Sequence, residues 1–362
     1  MARDPEHTSW AGIGRWPLSV QWALLVGLSA GFCVVLTWAG LPAALLLSPM
    51  IAGILVTTSG GRPRIPAGAF SLAQGVVGCM IAKILPLSIS GEVVGDWPLF
   101  AAGVVFVIAA SGLLGWLMAR LRLLPGSTVV WGLSPGGASA MIVMAESYGA
   151  DTQLVALMQY LRVVMVAALA SAVTHFSGVG ALHEVHAVTW FPTVDWPSFA
   201  GTLALAILGP LVAGRLRMPA GGMLLPLIGG VILVHAGWLT IELPQWLLAI
   251  SYALIGWRIG LRFTRQLLIH AAQSLPRMIA CTLVLIAACG ALAAFFVVTA
   301  GVDPLTAYLA TSPGGADSVA ILAASSNVDA PFVMTMQMAR MVVTLMLGPA
   351  MAKFIATRSG IA

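Results

Sequence analysis

The stretch SPGGASAMIVMAESYGADTQLVALMQYLR, residues 134–162, is apolar enough for a membrane but begins and ends with features that are costly there. Its Ser-Pro-Gly-Gly opening breaks a helix, because proline lacks a backbone donor and glycine permits tight turns. Its last residue, Arg162, places a positive charge deep inside an apolar run that continues beyond the quoted stretch. The chain repeats both features in SPGGADSVAILAASSNVDAPFVMTMQMAR, residues 312–340, which ends at Arg340. Two copies of one costly arrangement indicate a shared purpose at membrane depth.

The composition indicates the class of protein. The 362 residues are 60% hydrophobic and 8% charged, whereas soluble domains carry about 25% charged residues. We therefore predict an all-α polytopic membrane protein that is embedded in the lipid bilayer. The net charge of +5 does not indicate a nucleic-acid partner, since no basic patch accompanies a polar helix that could enter a groove. No nucleophile–base–acid set, phosphate-binding loop or HExxH motif is present, so we predict no enzymatic activity and no metal centre.

An internal duplication organises the chain. When Ser134 is aligned with Ser312, 13 of the 32 positions in 134–165 are identical to their counterparts. The same alignment extends back to Gly78 and Gly256, and to the segments 41–53 and 218–230 after a slip of one residue. The chain therefore divides into three parts, which are a first repeat at 1–175, a polar external linker at 176–195 and a second repeat at 196–362.

Each repeat contains five apolar runs of spanning length. These runs lie near 17–38, 41–57, 66–86, 97–119 and 152–174, and near 198–214, 218–236, 244–261, 278–300 and 331–350. Between the fourth and fifth runs of each repeat lies a Ser-Pro-Gly-Gly segment, at about 126–148 and about 304–326. We call these two segments the first and second hairpin. If both of them crossed the membrane, the chain would cross twelve times and the repeats would be parallel.

The distribution of Lys and Arg argues against twelve crossings. Membrane proteins carry most of these residues in cytoplasmic loops. Twelve crossings would place six arginines outside, namely Arg215, Arg217, Arg258, Arg262, Arg265 and Arg277. If each hairpin enters and leaves on one side, 14 of the 17 Lys and Arg residues are cytoplasmic. We therefore predict two inverted repeats of five transmembrane helices, each with a re-entrant hairpin, and cytoplasmic N- and C-termini. Inverted repeats that meet at the membrane midplane are typical of secondary transporters.

The broken backbone of each hairpin predicts a ligand site. Lipid cannot satisfy free N–H and C=O groups, so such backbone occurs only beside protein or a water-filled cavity. After each break a helix restarts, and its first N–H groups attract anions. We therefore expect the two tips to form a substrate site, with Ser134, Pro135, Gly136 and Gly137 in one and Ser312, Pro313, Gly314 and Gly315 in the other. The alternative interpretation is a proline-kinked helix that crosses the membrane.

Each hairpin is followed by a glutamine and an arginine that share a helix face. Gln159 precedes Arg162 by three residues, as Gln337 precedes Arg340. Each arginine lies near the midplane, where a charge costs at least about 3 kcal/mol. In one interpretation the arginine binds backbone carbonyls or an acid and holds the two repeats together. In the other, the Gln–Arg pair faces the tip and the guanidinium forks onto a substrate carboxylate. We favour the second, because no membrane-embedded acid is available for both arginines.

One position breaks the repeat. Asp317 occupies the place of Ser139, just past the second tip, and is the only acid that we place at membrane depth. It either pairs with an arginine, or titrates with a transported proton, or binds sodium together with nearby serines and tip carbonyls. Asp317, Ser318 and Ser139 are therefore our candidates for coupling to H+ or Na+, and we expect no other cofactor. Asp151 and Asp329 precede the next helices and are predicted N-caps.

The doubled motifs SPGGAS…D……Q..R and SPGGAD…D……Q..R resemble the AbrB family of bacterial membrane proteins. Members of that family contain two copies of a duplication domain and are often labelled ammonia monooxygenase regulators. The resemblance covers nearly the whole chain. It implies a protein of the bacterial inner membrane, and the label implies a role in regulating gene expression. Nothing in the sequence resembles a DNA-binding module.

In architecture the chain also resembles the sodium-coupled citrate and glutamate symporters, which have inverted five-span halves with a hairpin between the fourth and fifth spans. Their hairpins carry GGxG, whereas this chain has GGAS and GGAD, so the resemblance concerns the fold. We expect a homodimeric secondary transporter that moves a small organic anion, a carboxylate, by an elevator-like mechanism. The competing hypothesis is a membrane-embedded regulator or ligand sensor that binds the anion without moving it.

Overall fold

The computed structural model describes residues 13–39, 44–85, 97–121, 128–134, 141, 145, 150–176, 190–216, 218 and 221–358, apart from the side chains of 171, 174–176, 317, 345 and 348–358. Within these ranges all regular secondary structure is helical, which confirms the predicted all-α class. The predicted linker is described only at its two ends.

Fourteen α-helices follow a short 3₁₀ turn at Ile13–Arg15 within the described ranges. In the first repeat they are α1 (Leu18–Trp38), α2 (Ala44–Thr58), α3 (Ala67–Ile84), α4 (Trp97–Arg120), α5 (Thr128–Leu133) and α6 (Thr152–Phe176). In the second repeat they are α7 (Trp196–Arg215), α8 (Gly221–His235), α9 (Gln245–Gly260), α10 (Arg265–Ala271), α11 (Leu275–Ala300), α12 (Pro304–Thr311), α13 (Ala316–Ala324) and α14 (Ala330–Arg358).

The helix starts recur in the register of the sequence duplication. The alignment that brings Ser134 onto Ser312 also brings the starts of α1, α3, α4 and α6 onto those of α7, α9, α11 and α14. The starts of α2 and α8 differ from this register by one position, which reproduces the slip of one residue in the sequence match. Helix α10 was not predicted, and its counterpart positions in the first repeat lie outside the described residues.

Local chemistry explains several helix boundaries. Asp195 caps α7 by accepting from the backbone N–H of Ser198 at 3.2 Å, and Thr264 caps α10 by accepting from that of Leu267 at 3.2 Å. Gly301 ends α11 in the left-handed conformation, with φ 66°, which glycine adopts without strain. These signals depend only on neighbouring residues and are visible in the sequence.

Six of the described helices are long and apolar enough to cross a membrane, which supports the membrane class. They are α1, α3, α4, α7, α11 and the Thr152–Ala170 part of α6. Helices α9 and α10 meet at a bend of 47° and add a seventh if the pair forms one span. Helices α2 and α8 have only 15 residues each, fewer than the roughly 20 that a span needs.

The short helices of one repeat pack against the third helix of the other. Gly78 of α3 lies against the backbone of Met223 in α8. Gly256 of α9 lies against α2 in the same way, and a Cβ there would meet the carbonyl of Leu46 at 2.6 Å. Gly78 and Gly256 are equivalent positions, and so are Leu46 and Met223. The contact is therefore made twice, with the two repeats exchanged.

Side-chain contacts give the direction of the equivalent helices α3 and α9. The hydroxyl of Tyr252, midway along α9, donates to the sulfur of Met80 late in α3, at 2.9 Å. Arg258, late in α9, donates to the carbonyl of Ile65 just before α3, at 3.3 Å. The two helices therefore run antiparallel to each other.

Candidate functional site

A hydrogen bond joins the two ends of each hairpin segment. In the second hairpin the N–H of Asp329 donates to the hydroxyl of Thr306 at 3.1 Å. In the first hairpin the N–H of Asp151 donates to the hydroxyl of Thr128, also at 3.1 Å. The threonine near the start of each hairpin is thus hydrogen-bonded to the residue just before the next helix. The beginning and the end of each hairpin segment therefore lie side by side.

The second hairpin is broken where the sequence predicts a break. The N–H of Ser312 makes the last bond of α12, to the carbonyl of Tyr308 at 2.8 Å. Pro313 cannot donate the next bond and disfavours helical dihedrals at Ser312, whose ψ is 138°. Gly315 is also extended, with ψ 138°, and α13 begins after it.

The tip of this hairpin lies deep beside α14. Hydrogen bonds connect Ser312 to Gln337 and to Arg340, which lies ten residues after the first residue of α14. Ten residues of α-helix rise about 15 Å, which is half of a hydrocarbon core of about 30 Å. The tip is therefore about half a membrane thickness from the residues where the hairpin begins and ends.

Each glutamine replaces a backbone donor that proline removes. The carbonyl of Leu309 would accept from residue 313 in a continuous helix, but Pro313 has no N–H. Gln337 supplies a donor in its place, since its Nε2 lies 2.7 Å from that carbonyl, and the Ser312 hydroxyl donates to the same oxygen at 3.0 Å. Gln159 does the same in the first hairpin for Trp131, whose carbonyl lies four residues before a proline, and the distance is again 2.7 Å.

The arginine of the first repeat is held by its own hairpin. Nη1 of Arg162 donates to the carbonyls of Ser134 at 2.8 Å and Leu133 at 3.2 Å. Nη2 donates to the side-chain oxygen of Gln159 at 2.7 Å. The same glutamine donates to Ser134 at 3.2 Å. The Gln–Arg pair thus binds the backbone just before the predicted tip.

The arginine of the second repeat extends further into its tip. Nη1 of Arg340 donates to the carbonyl of Ser312 at 2.6 Å, and Nη2 donates to that of Gly314 at 3.1 Å. Nη2 also donates to the side-chain oxygen of Gln337. The carbonyls of Ser312 and Gly314 are therefore fixed by a guanidinium that comes from a different helix.

The positive charges of the two arginines are not neutralised within the described side chains. Arg162 and Arg340 are 1% and 2% exposed. Among described side chains no carboxylate contacts either guanidinium, and the Nε–H of each is buried without an acceptor. The two groups are also close enough to repel each other. Neutral carbonyls stabilise a buried cation only in part, which makes the two guanidinium groups candidates for binding an anion.

The two repeats meet at these hairpins. A Cβ at Gly314 would lie 3.1 Å from the side chain of Val166, which follows Arg162 by about one turn of α6. Helices α12 and α13 both contact α6, and α5 contacts α14. Within the second repeat, the hydroxyl of Thr311 also fixes the hairpin to α11, by donating to the carbonyl of the buried Cys289 at 3.1 Å. Each hairpin is thus packed against the last helix of the other repeat.

Most of the predicted site residues fall within this junction. Ser134, Gln159 and Arg162 lie together in the first repeat, as do Ser312, Pro313, Gly314, Gly315, Gln337 and Arg340 in the second. Pro135, Gly136, Gly137 and Ser139 lie outside the described residues. Asp317 belongs to the first turn of α13, but its side chain is not described, and Ser318 beside it is buried.

Sequence reasoning missed some polar residues of the site. Thr128 and Thr306 tie the hairpin ends together, and their equivalent positions in the two repeats were a usable signal. Tyr308, whose hydroxyl is buried without a partner in the described structure, has no such signal. The predicted N-caps are confirmed, since Asp151 accepts from the N–H of Gln153 at 3.0 Å and Asp329 accepts from that of Phe332 at 3.0 Å. Within the described ranges no three His, Cys, Asp or Glu side chains lie close enough together to hold a metal ion.

Comparison with known proteins gives two kinds of match. The family model described as "Transition state regulatory protein AbrB" matches residues 45–356. The protein named "Putative regulator AbrB" of Escherichia coli (strain K12) is 44% identical over 339 residues, which cover 93% of this chain and 97% of that relative. The protein named "Uncharacterized protein YhjN" of Bacillus subtilis (strain 168) is 25% identical over 296 residues, which cover 77% and 76% of the two chains.

Proposed function

The chain belongs to the AbrB family, and from that premise we propose that it is a secondary active transporter of a small organic anion. It works as a homodimer in the bacterial inner membrane by an elevator-like mechanism, and its cargo is a carboxylate. The observation that carries the proposal is the pair of buried arginines at the junction of the two hairpins. They are unneutralised by any described carboxylate, and each keeps a free Nε–H.

The proposed architecture is two inverted repeats, each with five crossings and one re-entrant hairpin. Three observations support it. The equivalent helices α3 and α9 run antiparallel. Each hairpin begins and ends side by side. The segments 63–65 and 258–264, which the charge distribution places in the cytoplasm, lie at one end of the molecule. A fold of this kind places two broken helices at the membrane midplane, where transporters bind their cargo.

The arginines have two tasks in this proposal. Three hydrogen bonds from each guanidinium go to a Gln side chain and to backbone oxygens at or just before the tip, and in the second repeat they hold the tip in its extended form. An arginine has five N–H donors, so a carboxylate can accept from those that remain. The interpretation of the arginines as purely structural explains the first three bonds. It does not account for two buried positive charges that no described carboxylate compensates.

The coupling ion acts next to the second tip. Asp317 stands in the first turn of α13, close in sequence to Gly314, whose carbonyl Arg340 binds. We propose that Asp317 takes up H+ or helps to bind Na+ together with Ser318, and that Ser139 is its neutral counterpart in the first repeat. This asymmetry between otherwise similar hairpins would give one tip the role of coupling.

The experiment has two stages. Purified protein is first melted in the presence of a panel of mono- and dicarboxylates, because a true ligand stabilises the folded state by mass action. The best ligand is then offered to proteoliposomes under H+ and Na+ gradients, with empty liposomes as the control. Uptake that depends on one gradient supports the transporter. Binding without flux under any gradient contradicts it.

The second candidate function is a membrane-embedded regulator that senses the same anion and affects gene expression. The observation that favours it is the word "regulator" in the name of the Escherichia coli relative, together with the family description. The same two-stage experiment separates the candidates, since a sensor binds the carboxylate in the melting assay and moves none of it.

A further inference from the structure

A second polar site lies where the first turns of α6 meet two other segments of the chain. A cavity of about 800 Å³ opens between residues 63–65, the first turns of α6 at 152–156, and residues 258–270. Its lining includes Arg64, Arg258, Arg262 and His270 and contains no Asp or Glu. Three segments that are distant in sequence therefore bring three arginines and a histidine to one concave surface.

Arg258 forms the fixed floor of this cavity. It is half-buried, its Nη1 donates to the carbonyl of Ile65 at 3.3 Å, and its guanidinium lies 5.3 Å from the centre of the Phe70 ring. Arg262 lies close enough to repel it. A cation that is held in place beside another cation is a site prepared for an anion.

The other two arginines of the cavity are accessible. Arg64 and Arg262 are exposed, and no carboxylate among the described residues pairs with either. The nearest described acid, Asp151, is already engaged, because it accepts from the N–H groups of Gln153 and Leu154 and lies 3.4 Å from His270. The positive charge of the cavity is therefore left for a ligand.

We propose that this cavity binds a phosphate ester carried on glycerol, either as the headgroup of an anionic phospholipid or as a soluble molecule. Arginine forks match phosphate oxygens, and Gln153 and Gln266 in the lining can bind hydroxyl groups. Leu261 and Leu267 provide an apolar wall. The volume exceeds what one inorganic phosphate fills and lies in the range of organic ligand sites. Basic pockets between membrane helices commonly bind lipid headgroups.

The cavity is distinct from the proposed carboxylate site. Gln153 and Ala156 line it, whereas Gln159 and Arg162 bind the first hairpin. Arg162 follows Gln153 by two and a half turns of α6, which places it on the opposite face of that helix. The proposal of a phosphate site is therefore independent of the transport proposal.

The test uses the full chain in a neutral detergent and measures melting temperature against ligand concentration. The probes are dioctanoyl phosphatidylglycerol, dioctanoyl phosphatidylcholine and glycerol 3-phosphate. Arg64→Gln and Arg262→Gln remove exposed lining charges, and Arg265→Gln is the matched control, since Arg265 is exposed at the start of α10 but lies outside the lining. Each lining variant should weaken the apparent affinity about fivefold, because one arginine near a membrane surface contributes about 1 kcal/mol to anion binding.

The outcomes separate the sources of the phosphate. Stabilisation by phosphatidylglycerol alone identifies a lipid site, and stabilisation by glycerol 3-phosphate as well identifies a site for the soluble ester. The proposal is overturned if neither phosphate compound stabilises the protein, or if phosphatidylcholine stabilises it equally. It is also overturned if Arg265→Gln weakens binding as much as Arg262→Gln, since the attraction would then be a diffuse property of the surface. The unliganded melting temperature of each variant reports whether its fold is intact.

Discussion

Replacing Gln337 with leucine tests whether the glutamine substitutes for the N–H that Pro313 lacks. The side chain is of similar size, so the change removes hydrogen bonds and leaves the volume almost unchanged. Two bonds matter most, the donation to the Leu309 carbonyl at 2.7 Å and the acceptance from Arg340. The Leu309 carbonyl keeps a second donor, the Ser312 hydroxyl at 3.0 Å, so the loss of the amide donor costs about 0.5–1.5 kcal/mol, and the lost bond to the charged arginine costs about 1.5–3 kcal/mol. We therefore expect Gln337→Leu to lower the free energy of unfolding by about 2–4.5 kcal/mol.

A second substitution makes this prediction specific. Pro313→Ala restores a backbone N–H, which can donate to the Leu309 carbonyl once Ser312 turns from its extended ψ of 138° to a helical value. In the Gln337→Leu background it should therefore recover about 0.5–1.5 kcal/mol, the worth of the lost amide donor. In the wild-type background it should recover nothing, because that carbonyl already has a donor.

The assay is unfolding in mixed micelles with increasing dodecyl sulfate, applied to the two single variants, the double variant and the wild type. Gln153→Leu is the control, since Gln153 is exposed and its side chain makes no hydrogen bond to a hairpin within the described structure. It should change stability by less than about 0.5 kcal/mol. If Pro313→Ala fails to rescue Gln337→Leu, the glutamine does not act as a replacement donor and our explanation of the hairpin is wrong.

Three further predictions concern the contacts between repeats, the hairpin ends and the arginines. Gly256→Ala should destabilise the protein by about 1–3 kcal/mol, because a Cβ would lie 2.6 Å from the Leu46 carbonyl. Gly27→Ala is the control and should not destabilise it, since there is open space around Gly27. Unfolding in dodecyl sulfate compares the stabilities of the two variants. Thr306→Val removes the acceptor of the bond at 3.1 Å and should cost about 1–3 kcal/mol, and unchanged stability in the same assay would show that the hairpin ends need no such tie. Arg340→Lys keeps the positive charge but loses the planar guanidinium fork. The affinity for the best carboxylate in the melting assay should therefore fall about tenfold or more. An unchanged affinity would show that this arginine is purely structural.

The predictable part of the fold rests on local signals and on the duplication. The apolar runs anticipated the long helices, and Asp151 and Asp329 were identifiable as caps because an N-cap bonds within its own first turn. The break after Thr311 was equally visible, since Pro313 removes a donor in any context. Helix α10 was missed because it is only seven residues long and begins at Arg265, and the chain there was interpreted as a plain cytoplasmic loop.

The candidate site was predictable in its members but not in its bonds. Gln159, Arg162, Gln337 and Arg340 could be selected because glutamine and arginine are rare in apolar runs and recur at equivalent positions of the two repeats. Their partners could not be selected, because a long guanidinium side chain can turn toward carbonyls, an acid or a ligand, and sequence alone does not rank these choices. The structure assigns both arginines to hairpin carbonyls and leaves each Nε–H without a described acceptor.

By itself the sequence determined that this protein is a helical membrane protein made of two homologous halves with broken segments at equivalent places. These properties follow from hydropathy, from the missing donor of proline and from repeated residues, all of which act over short stretches of chain. Only the tertiary structure decided that α2 packs on α9 and α3 on α8. It also decided that each glutamine donates to the carbonyl four residues before the proline of its own hairpin, and that three segments distant in sequence form one basic cavity. Such contacts depend on where separate helices lie in space. The identity of a glycine or an arginine in the sequence therefore does not indicate which distant residue it contacts in the folded chain.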